Sequence, residues 1–74
     1  MNWWMMSADE SCVVNMRKAN ALRIEERLYE QVLVLQVDVL DNSYTLGEYR
    51  TFREAHEEMM RIVREMNSKE REEA

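Results

Sequence analysis

Val32-Leu33-Val34-Leu35-Gln36-Val37-Asp38-Val39 admits two periods, and the fold of the chain turns on which one is taken. Leu28, Val32, Leu35 and Val39, at alternating steps of four and three, form one apolar stripe of a helix, beside which Leu22, Tyr29, Leu33, Val37 and Leu40 form a neighbouring row. At a step of two, the β-branched residues and the alternation of Gln36-Val37-Asp38-Val39 describe a strand, with residues 44–52 able to pair back across Asp41-Asn42-Ser43. Nothing breaks a helix between Glu30 and Val32, and the sequence contains no proline at all. The stretch therefore reads as helix.

Two Ser/Thr-x-x-Glu signatures support that period. Ser7-Ala8-Asp9-Glu10 and Thr45-Leu46-Gly47-Glu48 each have the spacing with which a hydroxyl and a carboxylate close a helix N-terminus reciprocally. They predict helices over about 8–40 and 46–68, joined by a turn at 41–45 that holds the densest run of turn formers, Asp41-Asn42-Ser43-Tyr44. In the second helix Tyr49, Phe52, His56, Met59, Val63 and Met66 keep the spacing of a coiled-coil seam, widened by Met60 and Ile62. Arg50/Glu54, Arg53/Glu57, Glu57/Arg61 and Arg61/Glu65 stand four apart on the solvated side.

The resulting expectation is an all-α fold, an antiparallel two-helix hairpin over 8–68 with an apolar segment at 1–7 before it and a charged, frayed tail at 69–74 after it. One hairpin partner covers one stripe of the first helix. The second row, Leu22, Tyr29, Leu33, Val37 and Leu40, with Cys12 and Met16 on an early turn, is then left to bury against another copy, giving a homodimeric four-helix bundle. The competing architecture is α-β-β-α, with a short β-hairpin at 32–52.

Leu40-Asp41-Asn42-Ser43-Tyr44-Thr45-Leu46-Gly47-Glu48-Tyr49 resembles the turn of short bacterial C-terminal helix-turn-helix appendices of the SHOCT type. There a leucine-rich helix ends, a polar turn follows and Thr-x-x-Glu-aromatic opens the next helix. The resemblance implies a helix-turn-helix at this point and carries no function with it.

Composition narrows the function. Seventy-four residues make one domain, and a chain shorter than about 80 residues buries a modest core unless it is cross-linked or associates. Cys12 is the sole cysteine and His56 the sole histidine, too few for an internal disulfide or a structural zinc site. Ten basic against fifteen acidic residues leave a net charge of -5 with neither half basic, which disfavours nucleic acid as a partner. Met1-Asn2-Trp3-Trp4-Met5-Met6 is too short to span a bilayer and lacks the basic leader of a signal peptide, so a cytoplasmic protein that does not enter a membrane is expected.

No constellation of catalytic or metal-ligating side chains stands out. His56 falls on the apolar seam, where an interface histidine is expected, and Glu25-Glu26 and Glu57-Glu58 point about 100 degrees apart on a helix. Arg17, Lys18, Arg23 and Arg27 gather basic charge, but Glu26 and Glu30 lie within reach of the last two. Trp3, Trp4, Met5 and Met6 form an adhesive end of the kind favoured at binding hot spots. The expected function is a small acidic interaction module, without cofactor or catalysis, that regulates, inhibits or adapts a larger protein, as products of phages and mobile elements do. The alternative is a small dimeric transcriptional regulator contacting DNA through Arg17, Lys18, Arg23 and Arg27.

Overall fold

The computed structural model describes residues 3–73; Met1 and Asn2 of the expected apolar segment and Ala74 of the expected tail lie outside them. Two short strands, β1 (Trp4–Met6) and β2 (Val13–Asn15), form an antiparallel hairpin, and a single turn of tight helix at Met16–Lys18 leads out of it. Three longer strands, β3 (Ala21–Arg27), β4 (Val32–Val39) and β5 (Asn42–Tyr49), follow as an antiparallel meander in the order β3-β4-β5. One helix, α1 (Phe52–Glu73), closes the chain.

The period of two governs β4. Leu35 and Val37 point to the face that carries α1, where both are fully buried with Ile62, Val14 and Met16. Val34 and Gln36 point the other way and are buried too. A central strand closed on both faces reads as a nearly continuous apolar run, which a helix-period template also matches. Cross-strand partners complete the helix-side face: Leu22 and Tyr44 flank Val37, Ile24 flanks Leu35, and Tyr49 stands opposite Leu33.

β5 carries one residue more than its partner. Leu35 faces Gly47 while Gln36 faces Thr45, so Leu46 is the extra residue of a bulge. The only glycine of the chain sits here because the Tyr49 ring lies over it; a Cβ at position 47 would come within 2.6 Å of the tyrosine hydroxyl oxygen.

The helix that does form starts six residues later than expected, with its own Ser/Thr-x-x-Glu signature, Thr51-Phe52-Arg53-Glu54. The Thr51 hydroxyl accepts the Glu54 N–H at 3.2 Å, and the Thr51 carbonyl accepts the Ala55 N–H at 3.2 Å. Its inward stripe is Ala55, Met59, Ile62 and Met66. The expected seam shares Met59 and Met66 with it, but Phe52 and His56 are exposed and stack on each other instead, with ring centroids 5.6 Å apart. On the solvated side Arg53 pairs with Glu57 at 3.3 Å and Arg61 with Glu65 at 3.1 Å, as expected, and Arg61 also reaches Glu58.

The all-α hairpin and the four-helix bundle built from it are therefore incorrect. Residues 8–40 form strands and turns, and the β-hairpin of the alternative α-β-β-α reading is present as β4 and β5, though strands rather than a helix precede it. The expected helix caps do not form, and β4 is fixed instead by its pairing with β3 and β5. Ser7 spends its hydroxyl on Asp9, 2.7 Å away, in a tight turn where Glu10 has φ 61, so Ser7 and Glu10 cap nothing. Thr45 and Glu48 lie inside β5, so the Leu40 to Tyr49 segment that resembles a SHOCT-type turn is a two-residue turn followed by a strand, not a turn between helices. The chain reverses earlier than 41–45, between Val39 and its facing Asn42, and Leu40 takes φ 56 there. The Asn20 amide oxygen secures that reversal by accepting the Leu40 N–H at 2.7 Å. The expected charged tail continues the helix through Glu73.

Leu40 separates the strand fold from the helical one, in which Leu35 and Leu40 would both be interior, and Leu35 serves as the buried reference. Leu35→Ala should cost about 2–5 kcal/mol, the usual penalty for emptying a fully buried site. Leu40→Gly should be neutral or up to about 1 kcal/mol stabilising, because Leu40 is exposed and holds a left-handed φ that glycine adopts freely. Urea unfolding of the two variants against the parent chain measures both.

Candidate functional site

The amino-terminal hairpin sorts its side chains by alternation. Met5 faces Val14 across the ladder, and these two, with Trp3 and Cys12, turn inward onto the core shared with Ile62. The far end of α1 meets them there, with the Lys69 ammonium 5.4 Å from the centre of the Trp3 ring. Trp4, Met6 and Val13 turn outward and remain 54%, 54% and 55% exposed, Met6 and Val13 directly opposite each other. Together they present roughly 300 Å² of apolar surface, comparable to the largest patch that a small monomer usually carries.

The loop joining the two strands is held by its own polar groups. Ser7 N–H donates to the Cys12 carbonyl at 2.9 Å and Glu10 N–H to the Ser7 carbonyl at 2.9 Å. One oxygen of Asp9 accepts the Ser7 hydroxyl at 2.7 Å, the Ser11 hydroxyl at 2.7 Å and the Ser11 N–H at 3.0 Å. Those bonds favour the carboxylate, the Ser11 hydroxyl most of all, and bring the Asp9 pKa down from 3.8 to about 2. The loop then meets the sheet through the Ala8 N–H, which donates to the Thr45 carbonyl at 2.8 Å.

Between this loop and the edge of β5 lies an open cleft of about 800 Å³, with Ser7, Asp9 and Cys12 on one wall, Tyr44 and Leu46 on the other and Arg27 at its margin. Its size is that of a ligand or peptide site. Cleft and apolar patch adjoin in the chain, since Met6 precedes Ser7 and Cys12 precedes Val13.

On the sheet face away from α1, Arg23 organises a polar cluster. Its guanidinium donates to Asp38 at 3.0 Å, to Glu25 at 3.2 Å and to Ser43 at 3.4 Å, while the Ser43 hydroxyl donates to Asp38 at 2.6 Å. The Ser43 and Arg23 hydrogen bonds hold the Asp38 pKa below its ordinary value, and the Asp38 carboxylate raises that of Arg23. Arg27 stands 3.8 Å from Glu30. The basic group singled out in the sequence is thus divided, with Arg17 and Lys18 on the short helical turn and Arg23 and Arg27 on β3.

The residues expected at the partner and dimer surfaces separate in the same way. Of the adhesive quartet, Trp4 and Met6 face outward while Trp3 and Met5 pack on the core. Of the row expected to meet a second copy, Val37 and Met16 are fully buried, and Leu22, Leu33 and Cys12 are half-buried. Only Tyr29 and Leu40 stand free, in the turns at opposite ends of β4, so these residues do not share one surface. Val13 was missed because its exposure depends on a strand period that a helical reading hides.

Among the described residues no group of three or more His, Cys, Asp or Glu side chains could hold a metal ion, and no helix is long and apolar enough to cross a membrane. Comparison with protein-family models, with curated proteins and with solved structures returned no match.

The depressed Asp9 pKa implies an acid-sensitive loop. A folded-state pKa below the unfolded one gives support that is complete above 3.8 and is lost as pH falls through about 2. The Ser11 amide proton should therefore shift in an NMR titration with a midpoint near 2, and the step should vanish in Asp9→Asn. A midpoint at the ordinary 3.8 would show that the serine contacts do not form.

Proposed function

We propose that this protein is a small acidic interaction module that binds a larger protein through the outward face of its amino-terminal hairpin and thereby regulates, inhibits or adapts that partner. The observation that carries the reading is the sorting of adjacent residues. Trp3 and Met5 are spent on the core, while Trp4, Met6 and Val13 stay more than half exposed on one face, although burying them would be favourable. Tryptophan and methionine are residues that anchor binding hot spots and adapt to a partner's shape. The short ladder and the self-bonded loop hold this face ready, so little ordering entropy opposes association.

The DNA-contacting alternative draws less support. Arg23 is engaged by two carboxylates, Arg27 lies near a third, and the surrounding charge is net negative. A cytoplasmic setting is in keeping with the free thiol of Cys12.

Replacing Trp4 and Met6 by serine and Val13 by threonine tests the reading. Urea stability should change by no more than about 1 kcal/mol, since the three side chains are outside the core. Affinity capture from the source cell with cross-linking should retain a larger protein on the parent chain, with cross-links at the hairpin, and lose it on the variant. Equal capture by both chains would refute the assignment.

A further inference from the structure

The outer edge of β3 is open. β3 is the terminal strand of its sheet, and among the described residues no backbone hydrogen bond reaches Ala21–Arg27 from outside that sheet. The opposite edge is different: β5 is bulged at Leu46 and touched by the Ala8 N–H, two features that obstruct strand addition. Among the described residues β3 is thus a seven-residue strand, paired to β4 without a bulge, whose outer edge keeps unused donors and acceptors.

We propose that this edge pairs with the same edge of a second copy, joining two three-stranded sheets into one continuous antiparallel sheet across a two-fold axis at Ile24. The charge order along β3 selects both the occupant and the register. Arg23, Ile24 and Glu25 are consecutive, and Arg23 and Glu25 share the face away from α1. With Ile24 opposite Ile24 of the second copy, Arg23 stands across from Glu25 of the second copy and Glu25 across from its Arg23. Two symmetry-related ion pairs result, and the isoleucines meet on the helix side.

The neighbouring registers fail. Centring on Arg23 sets arginine against arginine, and centring on Glu25 sets glutamate against glutamate and Arg23 against Arg27. Only the Ile24 register uses all of Ala21–Arg27 with no like-charge pair facing directly. Arg23 already donates to Glu25 of its own strand at 3.2 Å, so pairing exchanges one carboxylate for an equivalent one and keeps the Asp38 bond. Both α1 helices would lie on the same side of the joined sheet, and the outward hairpin faces would stay free.

Sedimentation equilibrium of the full chain and a pair of charge variants tests this. The parent chain should be a dimer at high micromolar concentration. Glu25→Arg alone, and Arg23→Glu alone, should each raise the dimer dissociation constant by about tenfold or more, because each places like charges across the axis twice. An equimolar mixture of the two variants should recover a one-to-one dimer, because the facing charges are then opposite. Should Arg23→Glu fail to fold beside Asp38, amide exchange of the parent chain decides: outward β3 amides should slow as concentration rises. A parent chain that is monomeric at about 1 mM, or a Glu25→Arg variant that dimerises as well as the parent, overturns the proposal. The Trp4→Ser variant should dimerise normally; a dimer that it disrupts would place self-association on the hairpin face and also overturn the proposal. A failure to capture any larger partner, by contrast, would bear only on the hairpin reading.

Discussion

Everything in this fold leans on the burial of β4 from both sides. Its backbone groups are taken up by β3 and β5, Leu35 and Val37 pack with Ile62, and Val34 and Gln36 on the other face are buried as well. A strand so placed exposes no edge and no face, so its apolar run can be unbroken. In a chain of 74 residues no second core of that size is available, and the other elements are positioned by what they add to this one. α1 contributes Ala55 and Ile62, and the hairpin contributes Val14, with Met16 following it.

The covering is one-sided, and the exposed features follow from that. α1 and the hairpin both occupy the helix-side face of the sheet, leaving the other face to Arg23, Asp38, Ser43 and Glu25, which satisfy one another. Because a two-stranded hairpin has an inside and an outside, seating Trp3 and Met5 on the core forces Trp4 and Met6 into solvent. An adhesive face is thus the geometric consequence of using the preceding and following residues as core.

Polar chemistry does the work of rigidity where apolar packing ends. Asp9 ties together the hairpin loop, Asn20 secures the reversal at Leu40, and Thr51 starts the helix. Each uses a short side chain to satisfy a backbone N–H that the local turn leaves free. The loop and the patch beside it are consequently held in one arrangement.

Several features were legible in the residues themselves: the helical period after residue 51, the ion pairs of Arg53 and Arg61, the apolar weight of Trp3 to Met6, and the reversal near Asp41. These depend on neighbours within about four positions, which the sequence displays directly. The state of Val32–Val39 was not legible, because its apolar positions satisfy both periods. Three Ser/Thr-x-x-Glu signatures occur, and only Thr51 to Glu54 caps a helix; the hydroxyls of Ser7 and Thr45 lie in a loop and a strand. Pairing with β3 and β5, a contact between residues distant in the chain, resolved that ambiguity, and it also decided which of Trp3, Trp4, Met5 and Met6 face outward. Local sequence determined the amounts of apolar and charged surface, whereas tertiary structure chose the period and hence the face on which each residue lies, because a strand gains its stability only from partners that local sequence cannot specify.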